Sequence, residues 1–530
     1  MNYEIGIVGC GPTGLYTLSE LIRCRHPLNI TVFDRGEWAG AGTPYSREGA
    51  NRLMLANIAS IEIPALKQTF LDWMRTCEPR VLEGFGITQD MLSDRLFAPR
   101  LLLGCYLHDQ LLDMIEFGRH LGHTIRLLER VEVIDILPDG NRFRVMTTKG
   151  PHARPFDKLI LSTGHDFEDT REDAHYFPNP WTGLIGTDVP ACRVGILGTS
   201  LSAIDAALAV VCQHGRFVEA GDDLEFQLED PSLSITFMSR NGLLPEADFY
   251  CPIPYVPLQR MTEGELANCA KEPNALDSVF SLLRDELTLA DPGYASRIGL
   301  ADLTADSFAE AYFAERTKTD PFRWAKKNLD EVLRNKERRL TVPWRYAILR
   351  MHEPVETIVP EFSDEDRARF DRGLKRVFVD NYAAVPPESI RRLLALREAG
   401  VLKILTLSED YELIKRDRST TVSSPEGSAE FDVFIDATGQ KPLGVEDIPF
   451  ASLRRALEED GQETPMLTDS FALLSPAPYA GNLYFGAIPY LMHSRPFVQG
   501  IVASQELGEI IGRDIIEHLE EEAQREPLCA

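Results

Sequence analysis

Three features of the sequence predict an α/β chain of two similar halves, the second opened by a long helical stretch. An Ile- and Val-rich run at the start leads into Gly9, Gly11 and Gly14. A run of the same kind leads into Gly198 near the middle. Two near copies, residues 156–164 and 431–439, each begin Phe-Asp, pass through an apolar run and end in Thr-Gly. Internal repetition constrains a fold more than any single motif.

Each element follows in order. Residues 3–8 read as a buried strand, the glycines as a tight turn, and the amphipathic stretch to about Arg25 as a helix. Leu28-Asn-Ile-Thr-Val-Phe-Asp34 reads as a second strand ending in an acid, which completes a βαβ unit. Residues 36–64 are punctuated by Gly and Pro and predict an extended loop with short helices; 66–120 read as mainly helical. Alternation on both sides of Pro138-Asp-Gly140 predicts a hairpin. Residues 193–200 then repeat strand and turn, 201–212 the helix, and 233–240 the second strand. After the helical stretch, the segments at 401–405, 411–415, 420–422 and 431–439 mirror 125–164. The predicted organisation is 1–190 and 446–530 for the first unit, 191–245 and 401–445 for the second, and 246–400 for a helical insertion. The fold class is therefore α/β, with two Rossmann-like dinucleotide-binding domains and a largely helical insertion.

The spacing of Gly9, Gly11 and Gly14 has a chemical reason. One glycine permits the tight turn, one lets backbone approach a pyrophosphate, and one lets helix and strand pack closely. The phosphates then meet free N–H groups and the positive end of the helix dipole. Asp34 stands where a carboxylate accepts hydrogen bonds from ribose hydroxyls, and an acid there disfavours a 2′-phosphate. A tight turn without a ligand is the plainer alternative, and the flanking strand, helix and acid weigh against it. The second turn, Gly198-Thr-Ser-Leu-Ser-Ala203, has Ser200 and Ala203 in place of two glycines. Hydroxyls of Ser200 and Ser202 can bond phosphate oxygens. The second strand ends in Ser239-Arg240, and a guanidinium holds a 2′-phosphate by a forked contact, which favours NADPH over NADH. Loss of the ligand from this half is the alternative.

Composition removes other classes. The chain has 530 residues, enough for two or three domains, and a formal net charge of -27. Nucleic acid and anionic membrane are therefore not expected as partners. No apolar run is long enough to span a bilayer, and the amino terminus does not read as a cleaved signal. The nine cysteines form no Cys-x-x-Cys pair, so neither a redox disulfide nor a Cys-rich metal site is expected. A cytoplasmic protein acting on a small molecule fits best; oligomeric state is left open.

The order of parts resembles the two-dinucleotide-domain flavoproteins, whose plan the class B and the N-hydroxylating flavin monooxygenases share. The chain also resembles the YdhS-type group of bacterial FAD/NAD(P)-binding proteins. That likeness rests on Met54-Leu-Ala-Asn-Ile-Ala-Ser-Ile-Glu-Ile-Pro64, Leu244-Pro-Glu-Ala-Asp-Phe-Tyr-Cys-Pro-Ile-Pro254, Thr341-Val-Pro-Trp-Arg-Tyr346, Asp380-Asn-Tyr-Ala-Ala384 and Pro496-Phe-Val-Gln-Gly500, and covers essentially the whole chain. The resemblance implies FAD in the first unit. Gly9, Gly11, Gly14 and Asp34, with Arg35, would hold its ADP half. The backbone at Val133 would face adenine, Gly40 and Gly42 would pass the diphosphate, Thr163 and Gly164 would line the ligand edge, and Gly486 would return to the flavin. Many relatives carry Asp after that last glycine, where this chain has Ala487.

The resemblance implies an FAD-dependent oxidoreductase reduced by NAD(P)H, with monooxygenation as the leading reaction. A dehydrogenase or reductase without oxygenation, and a flavin-bound sensor without turnover, are the alternatives. His165, His493 and Arg495 are the catalytic candidates, each set against a turn or loop role. Asn51, Asn57 and Ser60 are flavin-edge candidates, with turn chemistry as the alternative. Arg345, between Trp344 and Tyr346, reads either as a carboxylate binder or as a core arginine. Cys251 reads as packing, and His120 and His123 as a solvated face; no metal is expected.

Overall fold

A computed structural model describes residues 3–165, 175–181, 183–221, 223–425 and 427–525. Two five-stranded parallel sheets dominate it. In the first the strand order is Leu483–Phe485, Lys158–Leu161, Tyr3–Val8, Leu28–Phe33, Thr124–Leu128. All neighbours are parallel. In the second it is Tyr176–Phe177, Val433–Asp436, Arg193–Leu197, Ser234–Ser239, Leu402–Thr406, again all parallel. Parallel strands covered on both faces read as near-continuous apolar runs, and every residue of Tyr3–Val8 is buried, Glu4 with its partner Arg154 included.

The order of the first sheet maps onto the second strand by strand. Each unit also carries a three-stranded antiparallel sheet: Val133–Asp139, Arg142–Thr147 and Gly150–Pro151 in the first, Glu412–Lys415, Thr420–Ser424 and Gly427–Phe431 in the second. The predicted hairpin turns at Gly140, whose φ is +64°. Two elements are additional to the sequence reading. Gly215–Ala220 and Asp223–Leu228 form an antiparallel pair. Tyr176–Phe177 closes the edge of the second sheet.

The helical stretch divides its loyalties. Helices such as Ala275–Ala290, Pro343–Ile358 and Leu374–Tyr382 bury Phe280, Met351 and Phe378 in a core of their own. Pro321–Arg338 and Pro387–Glu398 instead pack Phe322, Leu329, Ile390 and Leu393 into the core of the second sheet. The last helix, Gly500–Arg525, lies along Pro12–Leu21. A Cβ on Gly508 would stand 2.7 Å from the Thr17 amide, and one on Gly512 2.6 Å from Glu20 Cβ, so two glycines four apart let the backbones close up. The pairings run in the same direction, so both helices open at the same end.

Candidate functional site

The first glycine turn is built of backbone pressed on backbone. Gly9 has φ +89°, and a Cβ there would lie 2.5 Å from Ser162 O. A Cβ on Gly14 would lie 2.5 Å from Gly9 O. Gly11 faces Gly42, 3.3 Å from a Gly11 Cβ to Gly42 Cα, and Gly40 (φ +97°) fills the space against Leu107 O, 2.9 Å from where its own Cβ would be. Gly40 N donates to Cys10 O at 2.5 Å. Two glycine turns thus face each other at the carboxyl edge of the sheet. Gly11 caps Pro12–Leu21 without a side-chain hydrogen bond, so first-turn amides, those of Thr13 and Gly14 included, have no capping side chain. This is the cradle a diphosphate needs, and side chains at any of these positions would fill it.

Asp34 closes the arrangement. Its Oδ2 accepts from the Cys10 amide at 2.9 Å and its Oδ1 from the Gly36 amide at 2.8 Å. The carboxylate braces the turn and keeps lone pairs for ribose hydroxyls. Burial raises its pKa, while the two amides and the exposed Arg35 oppose that shift. Val131 N donates to Asp34 O, and Val133, two residues on, is buried. Ser162, Thr163 and Gly164 follow Lys158–Leu161, with Ser162 N donating to Val8 O and Gly164 at φ +67°. Gly486 follows the neighbouring strand, and a Cβ there would stand 3.1 Å from Thr13 Cγ2 and 3.2 Å from Ser162 Oγ. The structure thus brings together Gly9, Gly11, Gly14, Asp34, Gly40, Gly42 and Gly486, and these residues fit FAD.

The second turn is looser. Gly198 has φ +129°, and a Cβ would lie 2.6 Å from Ala437 O. Ser200 caps Leu201–Val211, again without a side-chain cap, and is exposed; Ser202 is half-buried. Thr199 Oγ1 lies 3.4 Å from Ser239 Oγ, which also accepts from Gly242 N at 3.1 Å. Arg240 is 62% exposed and only 3.8 Å from the still more exposed Glu409. So weak a pair leaves its guanidinium movable.

Two of the catalytic candidates, His165 and His493, bond the backbone of one short segment, at Lys441 and Leu443, and Arg495 stands two residues beyond His493. His165 is set among protein atoms that push its pKa down to about 4, against a hydrogen bond to the backbone at Lys441. The contact joins the segment after Lys158–Leu161 to the segment after Val433–Asp436. His493 is exposed, with Nε2 3.1 Å from Leu443 O. The Arg495 charge is met by Glu506 at 3.1 Å and Glu356 at 3.7 Å, so it is no uncompensated cation.

Asn51 makes turn bonds, accepting from Leu53 N and Met54 N. Asn57 is exposed, and Ser60 is buried and donates to Ser93 O at 2.7 Å. Arg345 is a core arginine: 4% exposed, 3.2 Å from Glu246 and stacked 4.4 Å over Phe249. Glu246 also accepts from Trp324 Nε1, while Arg316 joins Asp380 at 2.5 Å. Burial pushes the Cys251 thiol up to about 12, which keeps it inert. His120 bonds its own helix at Glu116 O. The solvated face expected for the pair holds for His120 but is corrected at His123, which is buried and bridges Leu28 N and Ile22 O. Among the described residues no group of His, Cys, Asp and Glu could hold a metal, and no helix is long and apolar enough to cross a membrane.

A pair that sequence reading did not find joins the units. Arg100, at the start of Arg100–His120, lies 2.7 Å from Asp205 in Leu201–Val211, both nearly buried. Burial raises the Asp205 carboxyl to about 6 and outweighs the guanidinium beside it, so the pair is fully ionic only above that pH.

Comparison with known proteins agrees with this geometry. Residues 6–166 match the FAD-NAD(P)-binding family, and 262–382 match the YdhS-like middle domain. The fold is similar to the ornithine N-hydroxylase of Kutzneria sp. 744 (TM-score 0.50, 14% identity, covering 98% of this chain and 100% of that one). It is equally similar to the L-lysine 6-monooxygenase of Pseudomonas syringae (TM-score 0.50, 13% identity, 98% and 99% covered). The cofactors are FAD and NAD(P). The protein YdhS of Escherichia coli (strain K12) is 48% identical over 521 residues, 97% of each chain, and this chain therefore belongs to the YdhS family.

Proposed function

We propose that the protein is a monooxygenase, an FAD-dependent oxidoreductase that NADPH reduces and that oxygenates a small molecule. The observation that carries this reading is the pairing of two like dinucleotide units, each with a glycine turn at the carboxyl edge of its sheet. A single redox cofactor needs one such unit; a nicotinamide donor arriving at a resident flavin needs two. The flavin, when bound, supplies hydride acceptance and oxygen activation.

The chain's own residues supply grip and enclosure. Thr13 and Gly14 amides orient the diphosphate, Asp34 takes the ribose hydroxyls, and the Gly40–Gly42 turn forms the opposite wall. In the second unit Ser200 and Ser202 bond phosphate oxygens, and the movable Arg240 with Ser239 takes the 2′-phosphate. The helical segment, with its ionic network of Glu246, Arg345, Arg316 and Asp380, stiffens the wall that keeps water out and selects the substrate. Similarity to ornithine and lysine hydroxylases favours an amine-bearing substrate.

The test is anaerobic reduction by NADPH and by NADH in turn, then admission of oxygen. Faster bleaching with NADPH, followed on aeration by a transient absorbance unlike oxidised or reduced flavin, supports the proposal. Bleaching without that transient assigns the chain to the dehydrogenases.

A further inference from the structure

The turn after Lys158–Leu161 carries a hydroxyl that the folded chain leaves unsatisfied. Ser162 is 8% exposed, and its Oγ, shielded from water, has no hydrogen-bond partner. A buried polar group without a partner costs free energy, and alanine at this position would avoid the cost. Its location gives the serine a purpose. Oγ stands 3.2 Å from the point a Cβ on Gly486 would occupy, and Thr13 Cγ2 stands 3.1 Å from the same point. Ser162 therefore borders the uncapped start of Pro12–Leu21, where first-turn amides await an anion. The adjoining residue, Ala487, brings no carboxylate to accept from the hydroxyl or to repel a phosphate.

We propose that Ser162 is a cofactor-binding residue whose hydroxyl donates a hydrogen bond to the diphosphate of the dinucleotide held in the first unit. The proposal rests on FAD occupying that unit. One χ1 rotation moves a serine oxygen among three staggered positions, so the donor is not confined to its shielded place. The hydroxyl is then unsatisfied in the free protein and satisfied in the complex, a difference that favours binding.

The opposed effects on free and bound protein make the test. Full-length protein stripped of flavin is titrated with FAD and with ADP-ribose, which shares the diphosphate but lacks the isoalloxazine, and its thermal stability is measured with and without each ligand. Ser162→Ala should raise the dissociation constants of both ligands by about tenfold or more, the effect of one hydrogen bond to a charged acceptor. It should leave the ligand-free melting temperature unchanged or higher. Ser162→Cys, which keeps the branching of the side chain but donates weakly, should follow alanine in affinity. Unchanged affinity, a loss confined to FAD, or a less stable ligand-free variant would each overturn the assignment. Wild-type protein that binds neither ligand would overturn the FAD assignment itself, and this proposal with it.

Discussion

In the first dinucleotide unit the three turn glycines sit with their missing side chains pressed on backbone, and Asp34 locks the turn through two amides. In the second, built on the same strand order, only Gly198 is held this way, and the phosphate-binding positions pass to hydroxyls and an exposed arginine. The edge strands sharpen the contrast. Leu483–Phe485 reaches the first sheet after the chain has built the second, whereas Tyr176–Phe177 joins the second sheet before that sheet's other strands are made. Each unit is thus completed by a strand from outside its main run. The comparison teaches a division of labour: a rigid, pre-formed cradle suits a resident cofactor, and a soft, charged one suits a cofactor that comes and goes.

That contrast can be broken in order of effect. Gly11→Val should weaken FAD by more than about a hundredfold, because the side chain meets Gly42 across the cradle; flavin content after purification reads it. Ser200→Val, made at the equivalent position of the second turn, should leave flavin content untouched. Arg100→Leu leaves Asp205 buried without its counter-charge and should cost about 3–5 kcal/mol of stability above pH 6, measured by denaturant unfolding.

Asp205 itself gives a pH signature. Its folded pKa of about 6 lies above the ordinary carboxyl value, so its contribution to stability is complete below the unfolded pKa, about 3.9, and is lost as pH rises through about 6. Asp205→Asn should remove close to one proton's slope from stability between those limits. Arg240→Ala should weaken NADPH by about tenfold while leaving NADH within about twofold, as a single charge-assisted contact to a 2′-phosphate would. Smallest of all, Asn57→Ala on its exposed loop should change flavin affinity by less than about twofold if that side chain meets solvent rather than flavin.

Much of this was legible in the chain. Local chemistry fixes a glycine turn after a buried strand, and the paired Thr-Gly endings disclosed the two halves. What escaped is non-local. The edge strand Tyr176–Phe177 is two residues long, too short for any periodic signal, and its partner lies far away in sequence. Arg100 and Asp205 meet across the two units. The Arg345 network draws on Glu246, Arg316 and Asp380 from separate elements. His165, offered as a catalytic candidate by resemblance, meets the backbone at Lys441, a contact no local pattern announces. Sequence shows which chemistry a residue offers; the fold decides whether another residue has already taken it.

The most direct test of the central claim is the visible spectrum of the purified full-length protein before and after anaerobic NADPH. The account predicts a yellow protein with one FAD per chain that NADPH bleaches; a colourless protein that takes up no FAD, or a flavin that neither nicotinamide reduces, would contradict it.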